Sequence, residues 1–383
     1  MALASGLAGA WWMRANGLTA SDLVMAVRQP NDGPRFEWRS IDRRYWQAQA
    51  PKSDAQTLSE IDAEEGTSAG CASGMVRVSG NHRLELHGEA TGEIERLQDA
   101  ACTDWISREF PARCRTYDRE AIEREVAKLP VRALDFCIDR FEYPNALGQN
   151  PVIVVGFREA EALCRAAGKR LCTETEWTFA CEGEEVLPYP YGYARDATAC
   201  VVDRAWRPFK EGALSPRDGE QAKAELDRLW QGEPSGSRLG CKSPFGVYDM
   251  TGNVDEWTTS VRSTGYRSIL KGGYWGPVRA RCRPSTRAHD EGFVAYQQGF
   301  RCCASADASI PPPRRSPSIA ERSDAGPTPP PATGARTATT AGTASFDAVD
   351  RAPRQLSAEE ELDELRAIEK ARVGLGCSAT PGR

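Results

Sequence analysis

The chain is poor in the residues that build zinc sites. It has three histidines, His82, His87 and His289, and none of its 13 cysteines falls in a Cys-x-x-Cys pair. A tetrahedral Cys/His site therefore has little to draw on. A basic block in the middle of the chain is also missing, and the net charge is −5, which argues against nucleic-acid binding as the main task. No internal repeat is visible. The apolar stretch Ala2–Met13 is too short to cross a bilayer, which takes roughly 20 residues, and it lacks the basic leader of a secretory signal. Two readings of it stay open: the remnant of a signal or membrane anchor, or an ordinary buried element. The cysteines, which need export, favour the first.

What is present fits a packed protein outside the cytosol. The 383 residues suit one large or two ordinary domains, and 40% of them are apolar against 27% charged. Cysteines scattered singly through an acidic chain read as disulfides, hence an oxidising compartment. The odd count leaves one over, and Cys377 in the polar tail is the candidate. The competing reading is a cytosolic protein with buried thiols.

Composition divides the chain. Residues 1–66 read as an N-terminal extension that ends in an acidic run. A globular region spans 67–304. Within it, 74–79 and 133–143 alternate apolar and polar residues as strands do, and 82–130 lies between them as an insertion. Cys102 and Cys114 bracket a short loop there and are placed to pair, and 118–128 reads as a solvated helix. Residues 151–155 form an apolar run expected to be a buried strand. The segment 157–167 puts Ala160, Leu163, Cys164 and Ala167 on one helical face, and Gly168 stops it. Thr173 and Glu176 form a capping box that opens another helix, with Trp177, Ala180 and Cys181 on one face and Gly183 at its end. Residues 210–238 read as a polar surface insertion with a short helix. Residues 305–356, rich in Pro, Ala and Thr, read as a disordered linker. In 357–383, Leu362, Leu365, Ile368 and Ala371 recur at helical spacing, as in a helix that folds on a partner.

The densest signal runs from 251 to 303: Thr251-Gly-Asn-Val-Asp-Glu-Trp257, Leu270-Lys-Gly-Gly-Tyr-Trp275, Arg281-Cys-Arg-Pro-Ser-Thr-Arg287 and Gly299-Phe-Arg-Cys-Cys303. With Phe136–Asn145, Pro151–Gly183 and Tyr189–Gly192, these motifs resemble the formylglycine-generating enzyme, or sulfatase-modifying factor, family over about residues 70–304. The resemblance implies an irregular α+β fold of the C-type-lectin-like kind. It also implies oxidation of a sulfatase cysteine through copper(I), a soft ion that prefers thiolates.

The catalytic part of the pattern is broken. One cysteine, Cys282, precedes the closing Gly-Phe-Arg, and its flanking Arg279-Ala-Arg281 aligns it with the family's structural cysteine. Both copper thiolates are then missing. Tyr274 replaces the motif serine and Asp255 an aromatic residue. The same alignment implies bridges Cys164–Cys302 and Cys181–Cys282, and less directly Cys200–Cys241 and Cys71–Cys137, with Cys172 and Cys303 unassigned. It implies calcium, a taker of hard oxygens, at Asp249, Gly252, Val254 and Glu256; the alternative is that Glu256 pairs with an arginine such as Arg301. A second family calcium site near Cys200–Asp203 is poorly matched, because Val201 stands where an amide is expected. The family's three-histidine iron branch does not fit, since His82 and His87 lie in a polar loop. His289, in an acidic loop, reads as a surface residue before a general base.

The expectation is an exported, disulfide-stapled domain that binds a peptide or anionic ligand in a groove lined by Tyr274, Trp275, Arg279, Asp255 and Arg287, without oxidising cysteine. The alternative is a formylglycine-generating oxidoreductase with a rearranged loop, or another enzyme on the same fold.

Overall fold

A computed structural model describes residues 36–49, 68–88, 91–109, 111–210 and 212–310. The apolar N-terminal stretch, most of the tail with its helical spacing, and Cys377 lie outside the described residues.

In chain order the elements are β1 (Trp38–Ile41), β2 (Tyr45–Ala48), β3 (Met75–Arg83), α1 (Glu93–Ala100), β4 (Cys102–Ser107), β5 (Arg113–Tyr117), α2 (Arg119–Val126), β6 (Val131–Asp139), β7 (Val152–Ile153), α3 (Phe157–Ala166), β8 (Arg170–Leu171), α4 (Glu174–Glu182), α5 (Glu220–Leu229), β9 (Asp255–Thr259), β10 (Ser268–Lys271), β11 (Ser285–Thr286), β12 (Gln298–Phe300) and β13 (Cys302–Ser305). Two four-stranded sheets, β3-β6-β13-β8 and β11-β10-β9-β12, carry the domain, beside a three-stranded sheet β1-β2-β7 and the hairpin β4-β5. The result is α+β with short elements and long ordered loops. No helix among the described residues is long and apolar enough to cross a membrane.

Helix α4 sits at the centre. Its N-cap Thr173 accepts from the Glu176 amide while the Glu176 carboxylate accepts from the Thr173 amide, so two orphan donors are satisfied reciprocally. Trp177, Phe179, Ala180 and Cys181 are fully buried and pack with Val78, Ile138 and Met250. A second cluster joins α3 to β9 through Phe157, Cys164 and Trp257.

Six disulfides staple these layers: Cys71–Cys137, Cys102–Cys114, Cys164–Cys302, Cys172–Cys303, Cys181–Cys282 and Cys200–Cys241. The neighbours Cys302 and Cys303 point to opposite faces of β13, as successive strand residues must. One therefore meets α3 and the other the segment before α4.

Tertiary packing alters several sequence expectations. Residues 38–48 are not a loose extension: β1 and β2 form a hairpin that pairs with β7, and Tyr45 and Trp46 are buried. The expected strand over 151–155 is cut to two residues because Val154 takes φ 63°. The expected surface insertion at 210–238 is packed in, with Leu229 buried and Leu226 and Trp230 buried against Trp38, Trp46 and Trp275.

Candidate functional site

Strand β10 ends at Lys271 and the chain turns through Gly272 and Gly273, at φ 85° and 73°. A Cβ at Gly272 would stand 2.8 Å from the Met250 carbonyl oxygen, so both the dihedral and the close approach require glycine. The turn opens a cleft of about 270 Å³ between β9, β11 and the 274–281 loop. Asp255, Lys271, Tyr274, Arg279, His289 and Gln297 supply its polar groups, and Trp206 with three prolines its apolar walls.

The insertion holds this loop in place. Glu95 of α1 pairs with Arg279 at 3.2 Å and Arg281 at 3.4 Å, and Asp99 pairs with Arg281 at 2.8 Å. The Arg281 guanidinium lies 5.6 Å from the centre of the Tyr117 ring. The segment that composition marks as an insertion therefore builds one side of the cleft.

The groove residues expected from the sequence do not all meet. Asp255, Tyr274 and Arg279 line the cleft. Trp275 does not: it is 2% exposed and packs on Trp230 and Tyr296 in the core. Tyr274 lies between it and the cleft, its ring against those of Trp275 and Tyr296. Arg287 lies in a neighbouring cavity and pairs with Glu174. His289 reaches the cleft and stacks on Phe293, ring centres 3.8 Å apart. Lys271, Ser285, Trp206 and Gln297 were not singled out in the sequence. Lys271 had a visible signal, a lone charge between an apolar pair and two glycines.

Burial perturbs Asp255, Lys271 and Tyr274 here, raising the Tyr274 hydroxyl. The Asp255 carboxyl is pushed up to about 7 by loss of water and by neighbouring Glu256, although the Gly273 amide and Gln297 side chain favour its charged form. The Lys271 amine is lowered to about 8 by burial first and by Arg283 and Arg287, against the pull of Glu174 and Glu95. Lys271 donates to the Arg283 carbonyl at 2.7 Å and to Ser285 Oγ at 3.3 Å, and Ser285 Oγ donates to Glu174 Oε1 at 2.9 Å.

Copper does not fit this loop. The twelve described cysteines are all bridged, and Cys282, the cysteine nearest the turn, is tied to Cys181 in α4. Two-coordinate copper(I) needs thiolates, and none is free among the described residues.

The expected calcium ligands lie in a buried acidic knot behind the cleft. Glu256 Oε1 accepts from Arg301 Nη2 at 2.7 Å, and its Oε2 accepts from Arg301 Nε at 2.7 Å and from the Trp177 indole N–H at 2.9 Å. Asp249 Oδ2 accepts from the Gly236 amide at 2.7 Å. Glu142 accepts from Asn253 at 2.7 Å and Ser235 at 3.0 Å. Three buried carboxylates thus face the one guanidinium of Arg301. Burial and mutual repulsion push Glu142 well above the usual range and Asp249 to about 7. Among the described residues no three acidic, histidine or cysteine side chains converge as a metal site by themselves, so an ion here would lean on the Gly252 and Val254 carbonyls. Glu256 pairs with Arg301, the alternative expected from the sequence, so a hard divalent cation would have to share it.

Fold and site together define a disulfide-stapled α+β domain with a cleft at a double-glycine turn. This chain belongs to the sulfatase-modifying factor enzyme 1-like domain family, which matches residues 102–306. It is similar to the inactive C-alpha-formylglycine-generating enzyme 2 of Bos taurus, 30% identical, over 41% of this chain and 50% of that one. It is also similar to the formylglycine-generating enzyme of Mus musculus, 29% identical, over 40% and 44%. The chain thus spans about half the length of the curated relatives it matches. Among solved structures it is similar to CarF, with 15% identity and a TM-score of 0.37 over 61% of this chain and 98% of that one.

Proposed function

We propose that this is an exported binding domain of the family, which takes a peptide or anionic ligand in the 270 Å³ cleft and does not oxidise cysteine. One observation carries the reading: the loop beyond the double glycine holds Arg279 and Arg281, clamped by Glu95 and Asp99, and its cysteine is spent on the bridge to α4. A guanidinium on the rim, an aromatic wall and few convergent polar groups suit an acidic or peptide ligand. Six disulfides favour an oxidising compartment outside the cytosol.

The test has two arms. Incubation with copper(I), oxygen and a sulfatase-type cysteine peptide should leave the peptide mass unchanged; conversion of its thiol to an aldehyde would establish the oxidase instead. Titration with acidic and neutral peptide pools should give binding that weakens about tenfold in Arg279→Ala. Binding that ignores that substitution would remove the cleft from the proposal. We further propose calcium at Asp249, Gly252, Val254 and Glu256, where it would neutralise the acidic knot and stiffen the turn behind the cleft.

A further inference from the structure

A second cavity meets the cleft at Lys271 and Ser285, and the binding proposal does not use it. It measures about 80 Å³, where one water needs roughly 10–15 Å³, so it has room for a small polyatomic ion. Five cationic side chains line it: Arg83, Arg262, Lys271, Arg283 and Arg287. Three carboxylates line it as well, and all three are taken up: Glu85 pairs with Arg283, Glu174 with Arg287, and Glu95 with Arg279 and Arg281. Arg283 also holds Glu182, at 2.6 Å. With Glu182 counted, the cations remain in excess.

The lining has hydrogen-bonding capacity that the protein leaves unused. Arg83 Nε and Arg287 Nη1 are buried donors without a partner, and Glu174 Oε2 is a buried acceptor without one. Buried polar atoms of this kind call for a partner. Two guanidinium donors suit an oxoanion. The carboxylate acceptor needs a proton on that anion, which hydrogen phosphate carries and sulfate does not.

We propose that this cavity binds the free hydrogen phosphate ion and discriminates against sulfate through Glu174. The site stands apart from the cleft reading, because phosphate titration reports on this cavity whether or not the cleft takes a ligand.

The experiment is calorimetric titration of the full chain with inorganic phosphate, phosphoserine and sulfate. Millimolar phosphate should bind at least about tenfold more tightly than sulfate. Phosphoserine, whose phosphate has lost its second proton above about pH 6, should bind no better than sulfate, and tighter binding of it than of phosphate would overturn the role of Glu174. Arg262 is exposed, so Arg262→Ala should fold normally and weaken binding several-fold. Glu174→Gln, which can donate, should erase the preference over sulfate. No binding of phosphate, equal binding of sulfate, or unchanged affinity in Arg262→Ala would each overturn the proposal.

Discussion

Replacing Arg301 by methionine should cost the domain about 3–5 kcal/mol, the usual penalty for leaving a buried charge without its partner. Arg301 is completely buried. It holds both oxygens of Glu256 at 2.7 Å and donates to the Tyr248 carbonyl at 3.0 Å and to those of Asp139 and Arg140 at 3.3 and 3.4 Å. Methionine fills much of the volume but supplies no donor, and each orphaned carbonyl adds about 1 kcal/mol. The loss should also depend on pH. Arg301 pulls the Asp249 and Glu142 carboxyls down against burial and against each other. Without it both rise further. A carboxyl raised in the folded chain binds more protons folded than unfolded, so stability falls as pH rises from its unfolded value through its folded one. For Asp249 in the wild type that window runs from the ordinary carboxylate range to about 7. Urea denaturation with calcium chelated should therefore show a larger deficit for Arg301→Met at about pH 8 than at about pH 5. A variant as stable as the wild type, or a deficit equal at the two pH values, would refute the account of the knot.

The remaining expectations are simpler. Calcium should raise the melting temperature of the wild type over that in chelator, and Asp249→Ala should abolish the difference; equal shifts in both would place any calcium elsewhere. Cys181→Ala/Cys282→Ala removes a bridge spanning 101 residues, for which the chain-entropy relation gives about 4–5 kcal/mol; thermal unfolding under non-reducing conditions measures it, and an unchanged midpoint would contradict it. His82 is buried against Phe179 and held down to about 3 by burial, Arg283 and Arg132. A base depressed in the folded state contributes stability above its unfolded value near 6.5 and loses it as pH falls toward 3. His82→Leu should flatten that acid limb in denaturant titrations.

Local chemistry was legible wherever a few adjacent residues suffice. The capping box at Thr173 and Glu176, and the stops at Gly168 and Gly183, appear in the structure because each needs only its own turn of chain. The inward cysteines of α3 and α4 were readable from helical spacing. Long-range placement was not. The Trp38–Ala48 hairpin has only four residues per strand and becomes ordered by pairing with β7, over a hundred residues later. Trp275 is buried by Trp230 and Tyr296, partners that its place two residues past a double glycine does not reveal.

The sequence by itself determined the family pattern, the cysteine supply and the loss of the thiol pair, since these depend on which residues exist and in what order. Only the tertiary structure decided that α1 of the insertion clamps Arg279 and Arg281, that Glu256 faces Arg301, and that Lys271 separates a cleft from a cationic cavity. Those relations are set by burial and charge pairing between segments far apart in the chain. Their energies exist only once water has been excluded from between them.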